Sequence, residues 1–201
     1  MSETRTRRRK RNRQALPAVT ITTQVTLEQV HTLWDAIVHD PSPYYVSDYT
    51  PRFFQDLVGQ LGRSVVLLMG FIGGEIAGGV FLTRMEPFPD TRKPMHTVVD
   101  LFICEPYRGR AGFALARSFK QYILETMGFQ TFYATIHPEH KASQYLVVQM
   151  GMYRVGVVPK FLPMQGKATD MILFSMAHPE NDGSKPVGRS KICDHCGRQT
   201  I

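Results

Sequence analysis

The sequence predicts an α+β domain with a mixed sheet and flanking helices. The local patterns follow one another in the order β-α-α-β-β-β-α-β-α-β-β, and Gly73-Gly74 marks a hairpin between two of the strands. An order of this kind requires an antiparallel meander together with one or two crossover helices. At 201 residues the chain is long enough for one domain with its own hydrophobic core, plus tails.

The first elements follow from short-range patterns. Residues 19–25 alternate and are rich in β-branched side chains, which is typical of a strand. Thr26 and Gln29 form a capping box in front of apolar positions at helical spacing, so the first helix is expected to begin there. A second helix is predicted at 51–61, and the hairpin strands are predicted at 64–71 and 75–84.

The second half of the domain alternates strands with helices. Gly128 and Gly151 each follow an apolar stretch at helical spacing, so each is expected to end a helix. Residues 85–94 are rich in proline and are predicted to be a connection. The predicted strands are 97–104, 131–136, 153–159 and 171–176, and the predicted helices are 113–127 and 140–150.

The junction between strand 97–104 and the next helix is the most informative segment. A small-residue turn at 107–112 leads into that helix, and such a turn directs backbone N–H groups and the positive end of the helix dipole at one spot. Arg108 and Arg110 add positive charge there, while Gly109 and Gly112 are expected to permit positive φ and a close approach of a ligand. The junction therefore predicts a site for a pyrophosphate or another anion, although such a turn is also a common way to enter a helix.

The run Leu101-Phe102-Ile103-Cys104-Glu105-Pro106-Tyr107-Arg108-Gly109-Arg110-Ala111-Gly112 resembles the coenzyme A signature of the GNAT superfamily of acyl-CoA-dependent N-acyltransferases. Residues 141–152 resemble the later helix of that family, which ends in a glycine and an apolar residue. The resemblance implies a GNAT-like fold over 19–177, with a largely antiparallel sheet and a splayed parallel pair of strands. It also implies acetyl-CoA or another acyl-CoA as co-substrate and a primary amine as acceptor.

The resemblance further implies which residues hold the acyl-CoA. Backbone N–H groups of the strand contact the thioester and pantetheine, with Ile103 at the carbonyl, and the turn holds the pyrophosphate. Ala111 stands where the family has its first motif glycine, and Phe113 stands where glycine or alanine is expected. The implied cofactor-binding residues are Leu101, Phe102, Ile103, Cys104, Arg108, Gly109, Arg110, Ala111, Gly112, Phe113 and His140.

Three side chains are candidates for acid–base chemistry. Asp100 lies within an apolar strand, where a desolvated carboxylate would have a raised pKa and could accept the amine proton; the alternative is an aspartate that binds backbone amides. His137 ends the next strand, and the near-neutral pKa that histidine ordinarily has suits acid–base catalysis. A histidine before proline is, however, also a common turn residue. The alignment with the family places Val147 where members often have a tyrosine that protonates the leaving thiolate. Tyr145 could act as this general acid only if the register shifts.

The resemblance to the GNAT superfamily implies an acceptor pocket at the loop between the first two helices. Tyr44, Tyr45 and Asp48 lie in that loop and suit a cationic or planar acceptor, or they pack over the sheet edge. At the other end of the chain, Cys193 and Cys196 form a CxxC that resembles half of a zinc site. Zinc is not expected, because no second pair of ligands lies at the required spacing, and residues 178–201 are predicted to be a flexible tail.

The positive charge of the chain is concentrated in its first thirteen residues. The net charge is +7, and seven basic side chains lie within residues 1–13 beside one acid, Glu3. The remaining 17 basic and 16 acidic residues nearly balance. Residues 1–18 are therefore predicted to be a disordered arm, with nucleic acid as the expected partner of residues 5–13. A solubilising tail, a targeting tail or a segment that binds a partner protein are the alternatives.

Composition also bounds the setting and the function. Three cysteines do not make a disulfide framework, and no apolar run is long enough for a membrane span, so a reducing, cytoplasmic setting is expected. The leading hypothesis is an acyl-CoA-dependent N-acyltransferase, possibly acting on an amine of a macromolecule. The alternatives are a catalytically degenerate GNAT-fold protein that binds nucleic acid or assembles, and an enzyme of this type that modifies nucleic acid.

Overall fold

A seven-stranded mixed sheet organises the chain in our computed structural model, which describes residues 17–42, 58–61, 65–87, 94–164 and 167–177. The strands are β1 (Val19–Thr22), β2 (Val65–Ile72), β3 (Glu75–Pro87), β4 (Pro94–Ile103), β5 (Thr131–Ile136), β6 (Tyr153–Met164) and β7 (Lys167–Ala177). The helices are α1 (Leu27–Val38), α2 (Arg110–Gln121) and α3 (Lys141–Gln149), and residues 58–60 are also helical.

The strands lie in the order β1-β2-β3-β4-β5-β7-β6. Every neighbouring pair is antiparallel except β4 and β5, which are parallel. The predicted fold class, an α+β fold with a largely antiparallel sheet and one parallel pair, is therefore confirmed.

The parallel pair is short. Its pairing covers His96 to Val98 of β4 and Thr131 to Tyr133 of β5. Both strands continue beyond this point, and β4 remains paired with β3 as far as Ile103. We call the gap between residues 99–103 of β4 and residues 134–136 of β5 the fork.

Helices cover the two faces of the sheet. One face packs against α2 and α3 through a core that includes Leu115, Phe119 and Val147. The other face packs against α1 through Leu33 and its neighbours. A Cβ atom on Gly79 would lie 2.5 Å from Leu33 Cδ2, so the glycine allows α1 to approach the sheet closely. Within the described helices, none is long and apolar enough to cross a membrane.

The helix after the anion turn begins earlier than the sequence indicates. It starts at Arg110 rather than at residue 113, because Gly109 takes the N-cap position and the first turn includes Ala111 and Gly112. Its α-helical part ends at Gln121 and continues as a π-helical turn over Tyr122–Thr126. Gly128 follows with φ 74°, so the predicted glycine stop is confirmed.

Two strand pairs are longer than predicted. Residues 85–94 were expected to be a connection, but Glu86 pairs with His96 and Pro87 pairs with Pro94. The pairing shifts register on either side of Glu86, and irregular positions of this kind accommodate proline in a sheet. The hairpin of β6 and β7 likewise extends beyond the predicted strands 153–159 and 171–176, as far as the pair of Met164 and Lys167.

An irregular position in β6 makes that extension possible. Lys160 has φ 50°, and its N–H donates to Asp170 Oδ1 at 2.9 Å. The pairing resumes beyond it, with Leu162 opposite Thr169. A sequence pattern with period two is interrupted at such a shift, which is why the two strands were predicted to be shorter.

Candidate functional site

The end of β4, the turn before α2 and the start of α3 meet at the fork. A 3₁₀ turn, Glu105–Tyr107, follows β4, with Tyr107 N donating to Cys104 O at 2.9 Å and Arg108 N donating to Glu105 O at 3.2 Å. Gly109 then adopts φ 82° and ψ −130°, a conformation that residues with a Cβ atom avoid. The predicted positive φ at Gly109 is thus present, and it lets the chain turn sharply into α2.

The N-terminus of α2 presents backbone donors beside open space. The first helical hydrogen bond runs from Phe113 N to Gly109 O at 3.0 Å, so the amides of Arg110, Ala111 and Gly112 precede the helical ladder. A Cβ atom added to Gly109 would have no heavy atom within 4 Å. This end of α2 has the geometry that binds anions in other proteins.

Gly112 has a different structural role from the predicted one. It is helical rather than in the positive-φ region, and it is buried. A Cβ atom at this position would lie 2.9 Å from Tyr107 O and 3.1 Å from Ile103 Cγ2. Gly112 therefore lets α2 pack tightly against the end of β4, and the prediction that it widens the approach of a ligand is wrong.

The strand segment that faces the fork offers backbone groups on one side. Cys104 N donates to Ala77 O of β3 at 2.9 Å, so this N–H is not directed at the fork and the prediction for it is wrong. Backbone donors alternate sides along a strand, which directs the N–H groups of Leu101 and Ile103 away from β3 and toward β5. The side chains of Phe102, Ile103 and Cys104 are buried, so they shape the core rather than the gap.

An ion pair between a buried carboxylate and a partly exposed guanidinium lies beside this segment. Arg108 Nη2 donates to Asp40 Oδ2, and Arg108 Nε donates to Ile103 O at 3.4 Å. The Asp40 side chain is only 1% exposed, whereas that of Arg108 is 34% exposed. Asp40 follows α1 directly, so the pair connects the end of α1 to the turn before α2. The sequence analysis did not identify Asp40.

Two histidines stand at the other side of the fork. His140 precedes α3, and burial lowers its pKa, with further lowering by Arg108 and His137 and an opposing effect of Asp40. Its Nε2 lies 3.4 Å from Ser143 Oγ. His137 Nδ1 accepts the Glu139 N–H at 3.1 Å, which is the turn contact that the alternative interpretation of His137 expects.

Cys104 is a buried thiol at the same place. Burial raises the pKa of Cys104, and the charge of Arg108 acts in the opposite direction. A thiol with a raised pKa is a poor nucleophile at neutral pH. The charged groups at the fork include the Arg108–Asp40 pair and Asp100, and the lowered pKa of His140 favours its neutral form.

Asp100 lies just beyond the parallel pairing of β4 with β5, on the same face of β4 as Val98. Val98 is paired with Tyr133, and Asp100 follows two residues later at the base of the fork. Asp100 is exposed, so the desolvated environment that the sequence predicted for it is not found. The place suits contact with a substrate, and the catalytic role of Asp100 stays a prediction.

The candidate tyrosine of α3 faces solvent. Tyr145 is 68% exposed, while Val147 is buried in the core between α3 and the sheet. A helix turns by about 200° over two residues, so the two side chains point in different directions. The register therefore does not shift in favour of Tyr145, and the structure gives its predicted acid role no support.

Other predicted residues lie outside the residues that the structure describes. These are the acceptor-loop residues Tyr44, Tyr45 and Asp48, and the tail cysteines Cys193 and Cys196. Among the described residues, no group of three or more histidine, cysteine or acidic side chains could hold a metal ion.

Comparison with known proteins identifies the fold. No protein-family model matches the chain, and no curated protein matches it by sequence. Solved structures do match: RimJ of Mycobacterium smegmatis in complex with CoA-disulfide has a TM-score of 0.64 and 14% identity, over 81% of this chain and 83% of that one. The ribosomal-protein-S5-alanine acetyltransferase from Vibrio fischeri has a TM-score of 0.63 and 15% identity, over 81% and 94%.

A third solved structure has the same fold. An acetyltransferase of the GNAT family from Streptococcus pneumoniae has a TM-score of 0.56 and 16% identity, over 80% of this chain and 99% of that one. The chain therefore has the fold of the GNAT superfamily, and the resemblance seen in the sequence is confirmed at this level.

Proposed function

We propose that the chain is an acyl-CoA-dependent N-acyltransferase that transfers an acyl group, acetyl in the first instance, to a primary amine. The observation that carries the proposal is the fork beside the N-terminus of α2. There, strand donors at Leu101 and Ile103 and helix donors after Gly109 lie at one end of the sheet. Solved structures of the same fold with CoA bound support the choice of co-substrate.

The site supports this chemistry through the backbone. The amine attacks the thioester carbonyl, a C–N bond forms, the C–S bond breaks, and one proton leaves the amine. In the proposal, Ile103 N–H stabilises the developing oxyanion, the α2 terminus holds the phosphates, and Asp100 accepts the proton at the base of the fork. The thiolate takes up a proton from water, since Tyr145 faces solvent and Val147 is in the core.

Calorimetry with acetyl-CoA is the first test. We expect a dissociation constant in the micromolar range and weaker binding by Arg110→Glu, because this side chain is exposed at the first position of α2. Absence of binding by the folded wild-type protein would remove the basis of the proposal. A screen of amines, proteins and nucleic acid, with release of free CoA thiol as the signal, then identifies the acceptor.

The role of Asp100 is tested separately. Asp100→Asn is expected to lower turnover by about 10²–10⁴-fold and to change acetyl-CoA affinity little, because a base acts in the transition state. Asp35→Asn, an exposed aspartate on α1, is the control and should not alter turnover. Unchanged turnover in Asp100→Asn would mean that water or His137 accepts the proton instead.

The second candidate is a GNAT-fold protein without catalysis that binds nucleic acid or assembles. Ala111 and Phe113 in the turn and the buried Val147 favour it, because they depart from the family pattern. The calorimetry experiment separates the two candidates. Folded protein that binds nucleic acid but no acetyl-CoA would establish the second one.

We also propose that residues 1–18 form a basic arm outside the domain and that residues 178–201 form a tail. Seven basic residues within 1–13 would bind nucleic acid without sequence preference, so the affinity should fall steeply with salt. Deletion of residues 1–18 is expected to weaken nucleic-acid binding at low salt and to leave acetyl-CoA binding intact. Equal affinities and equal salt slopes for the full-length protein and the deletion variant would show that the arm does not bind nucleic acid. An enzyme that modifies nucleic acid would bind both acetyl-CoA and nucleic acid.

A further inference from the structure

The Asp40–Arg108 ion pair joins three elements at the fork. Asp40 follows α1, Arg108 precedes α2, and Arg108 Nε also donates to Ile103 O at the end of β4. The second oxygen of Asp40 accepts the Ser42 N–H at 2.8 Å. Both carboxylate oxygens are thus engaged, and two of the guanidinium nitrogens bind acceptors within the protein.

The burial of Asp40 decides how this pair behaves. A buried carboxylate that loses its cationic partner is strongly destabilising, whereas an exposed guanidinium that loses its partner can be solvated. The Asp40 side chain is 1% exposed and that of Arg108 is 34% exposed, so Asp40 depends on Arg108 much more than the reverse. A phosphate that drew Arg108 away would have to compensate for this loss.

We propose that Asp40 is a positioning residue for the anion-binding turn, and that Arg108 acts by linking Asp40 to Ile103 O rather than by contacting the anion. This inference rests on the proposed function. It divides the two arginines of the turn: Arg108 holds the turn and the end of β4 in place, and the positive charge that meets the phosphates comes from the α2 terminus and Arg110.

The division of roles has a consequence for substitutions. An arginine that contacts phosphate is needed whatever stands at residue 40. An arginine that only positions the turn can be replaced when its partner is neutralised as well, since no buried charge is then left uncompensated. Asparagine at 40 and glutamine at 108 retain hydrogen-bonding amides in the place of the ion pair.

A double-mutant cycle tests the proposal through thermal unfolding and acetyl-CoA calorimetry. Arg108→Gln is expected to lower the Tm by about 5–15 °C and acetyl-CoA affinity by about 10-fold, because Asp40 is left uncompensated. Asp40→Asn is expected to lower the Tm less, by about 2–5 °C. In Asp40→Asn/Arg108→Gln, we expect a Tm above that of Arg108→Gln and an affinity within about 3-fold of the wild type.

Arg110→Gln is the matched control in the same turn. It should lower acetyl-CoA affinity by about 3–10-fold, and Asp40→Asn should not rescue it. A double variant at 40 and 108 that is folded but binds as weakly as Arg108→Gln would show that Arg108 contacts the anion, and would overturn the proposal. An unchanged Tm in Arg108→Gln would overturn it as well.

Hydrogen exchange and one further comparison of variants distinguish the possible outcomes. Hydrogen exchange of residues 105–112 in the ligand-free protein should be faster in Asp40→Asn, and an unchanged rate would contradict the positioning role. If Arg108→Gln does not fold, the double variant is compared with the wild type by the same criteria. If the folded wild type binds no acetyl-CoA, the proposed function fails, while the Tm cycle and hydrogen exchange still decide whether Asp40 positions the turn.

Discussion

The first turns of α1 and α2 are built in opposite ways. α1 begins at a capping box: Thr26 Oγ1 accepts the Gln29 N–H at 3.2 Å, and Gln29 Oε1 accepts the Thr26 N–H at 2.9 Å. Glu28 adds a negative charge that complements the helix dipole. α2 begins at Gly109, which has no side chain to accept a hydrogen bond, and its first turn contains no acid.

The difference shows how the chain reserves one helix end for a ligand. At α1, the side chains of the helix itself satisfy the backbone donors, so the element is stabilised locally. At α2, the donors precede the helical ladder beside open space, and the neighbouring charge is positive. Stability at α2 comes instead from tight packing of Gly112 on β4, and this separates the residues that stabilise the helix from those that would meet an anion.

The largest expected effect comes from giving α2 the kind of cap that α1 has. Gly109→Asp would place a carboxylate at the N-cap, where it accepts the first amides and repels phosphate. We expect acetyl-CoA affinity to fall by about 100-fold, measured by calorimetry. Gly109→Ala introduces the same backbone strain, about 1–3 kcal/mol, without the carboxylate. Equal affinities of the two variants would contradict the proposed use of this helix end.

The second change disturbs the packing that replaces a cap at α2. A Cβ atom at Gly112 would lie 2.9 Å from Tyr107 O, so Gly112→Ala is expected to lower the free energy of unfolding by about 1–3 kcal/mol in chemical denaturation. Gly59→Ala is the matched control, because no heavy atom lies within 4 Å of its added Cβ atom. A loss in the control as large as that in Gly112→Ala would refute the packing argument.

A smaller effect is expected at the capped end of α1. Thr26→Ala removes the Oγ1 that accepts the Gln29 N–H, keeps the backbone N–H that donates to Gln29 Oε1, and should cost about 1 kcal/mol of unfolding free energy. Acetyl-CoA affinity should not change, because α1 begins away from the fork. Thr32→Ala, within the exposed part of α1, should stay within about 0.5 kcal/mol of the wild type. Reduced affinity in Thr26→Ala would mean that the two helix ends are coupled.

The smallest expected effect is a pH dependence at the start of α3. Burial lowers the pKa of His140, so the unfolded chain binds a proton at a higher pH than the folded protein does. The contribution of neutral His140 to the free energy of unfolding is therefore complete above about pH 6.5. This contribution declines as the pH falls toward the folded-state pKa of His140. In His140→Gln, the loss of Tm between pH 7.5 and 5.5 should be smaller than in the wild type, and an equal loss in the two proteins would contradict the burial argument.

Local patterns predicted most of the fold and part of the site. The capping box at Thr26 and the glycine stops at Gly128 and Gly151 are present, because each depends only on residues within a few positions. The hairpin extension beyond Lys160 was missed, since a register shift interrupts the alternation. Asp40 was missed for a different reason: it is 68 residues from Arg108, and the residues next to it indicate only the end of a helix.

The short parallel pairing has a consequence for how the molecule unfolds. In the part of the chain that the structure describes, β4 pairs with β5 only from His96 to Val98, whereas each half of the sheet contains longer antiparallel pairs. The core under α2 contains side chains from both halves, including Val80 and Phe174, so α2 joins the halves more than the backbone does. We therefore expect the α2 core to couple the two halves during unfolding, and a cavity at Phe119 should weaken that coupling.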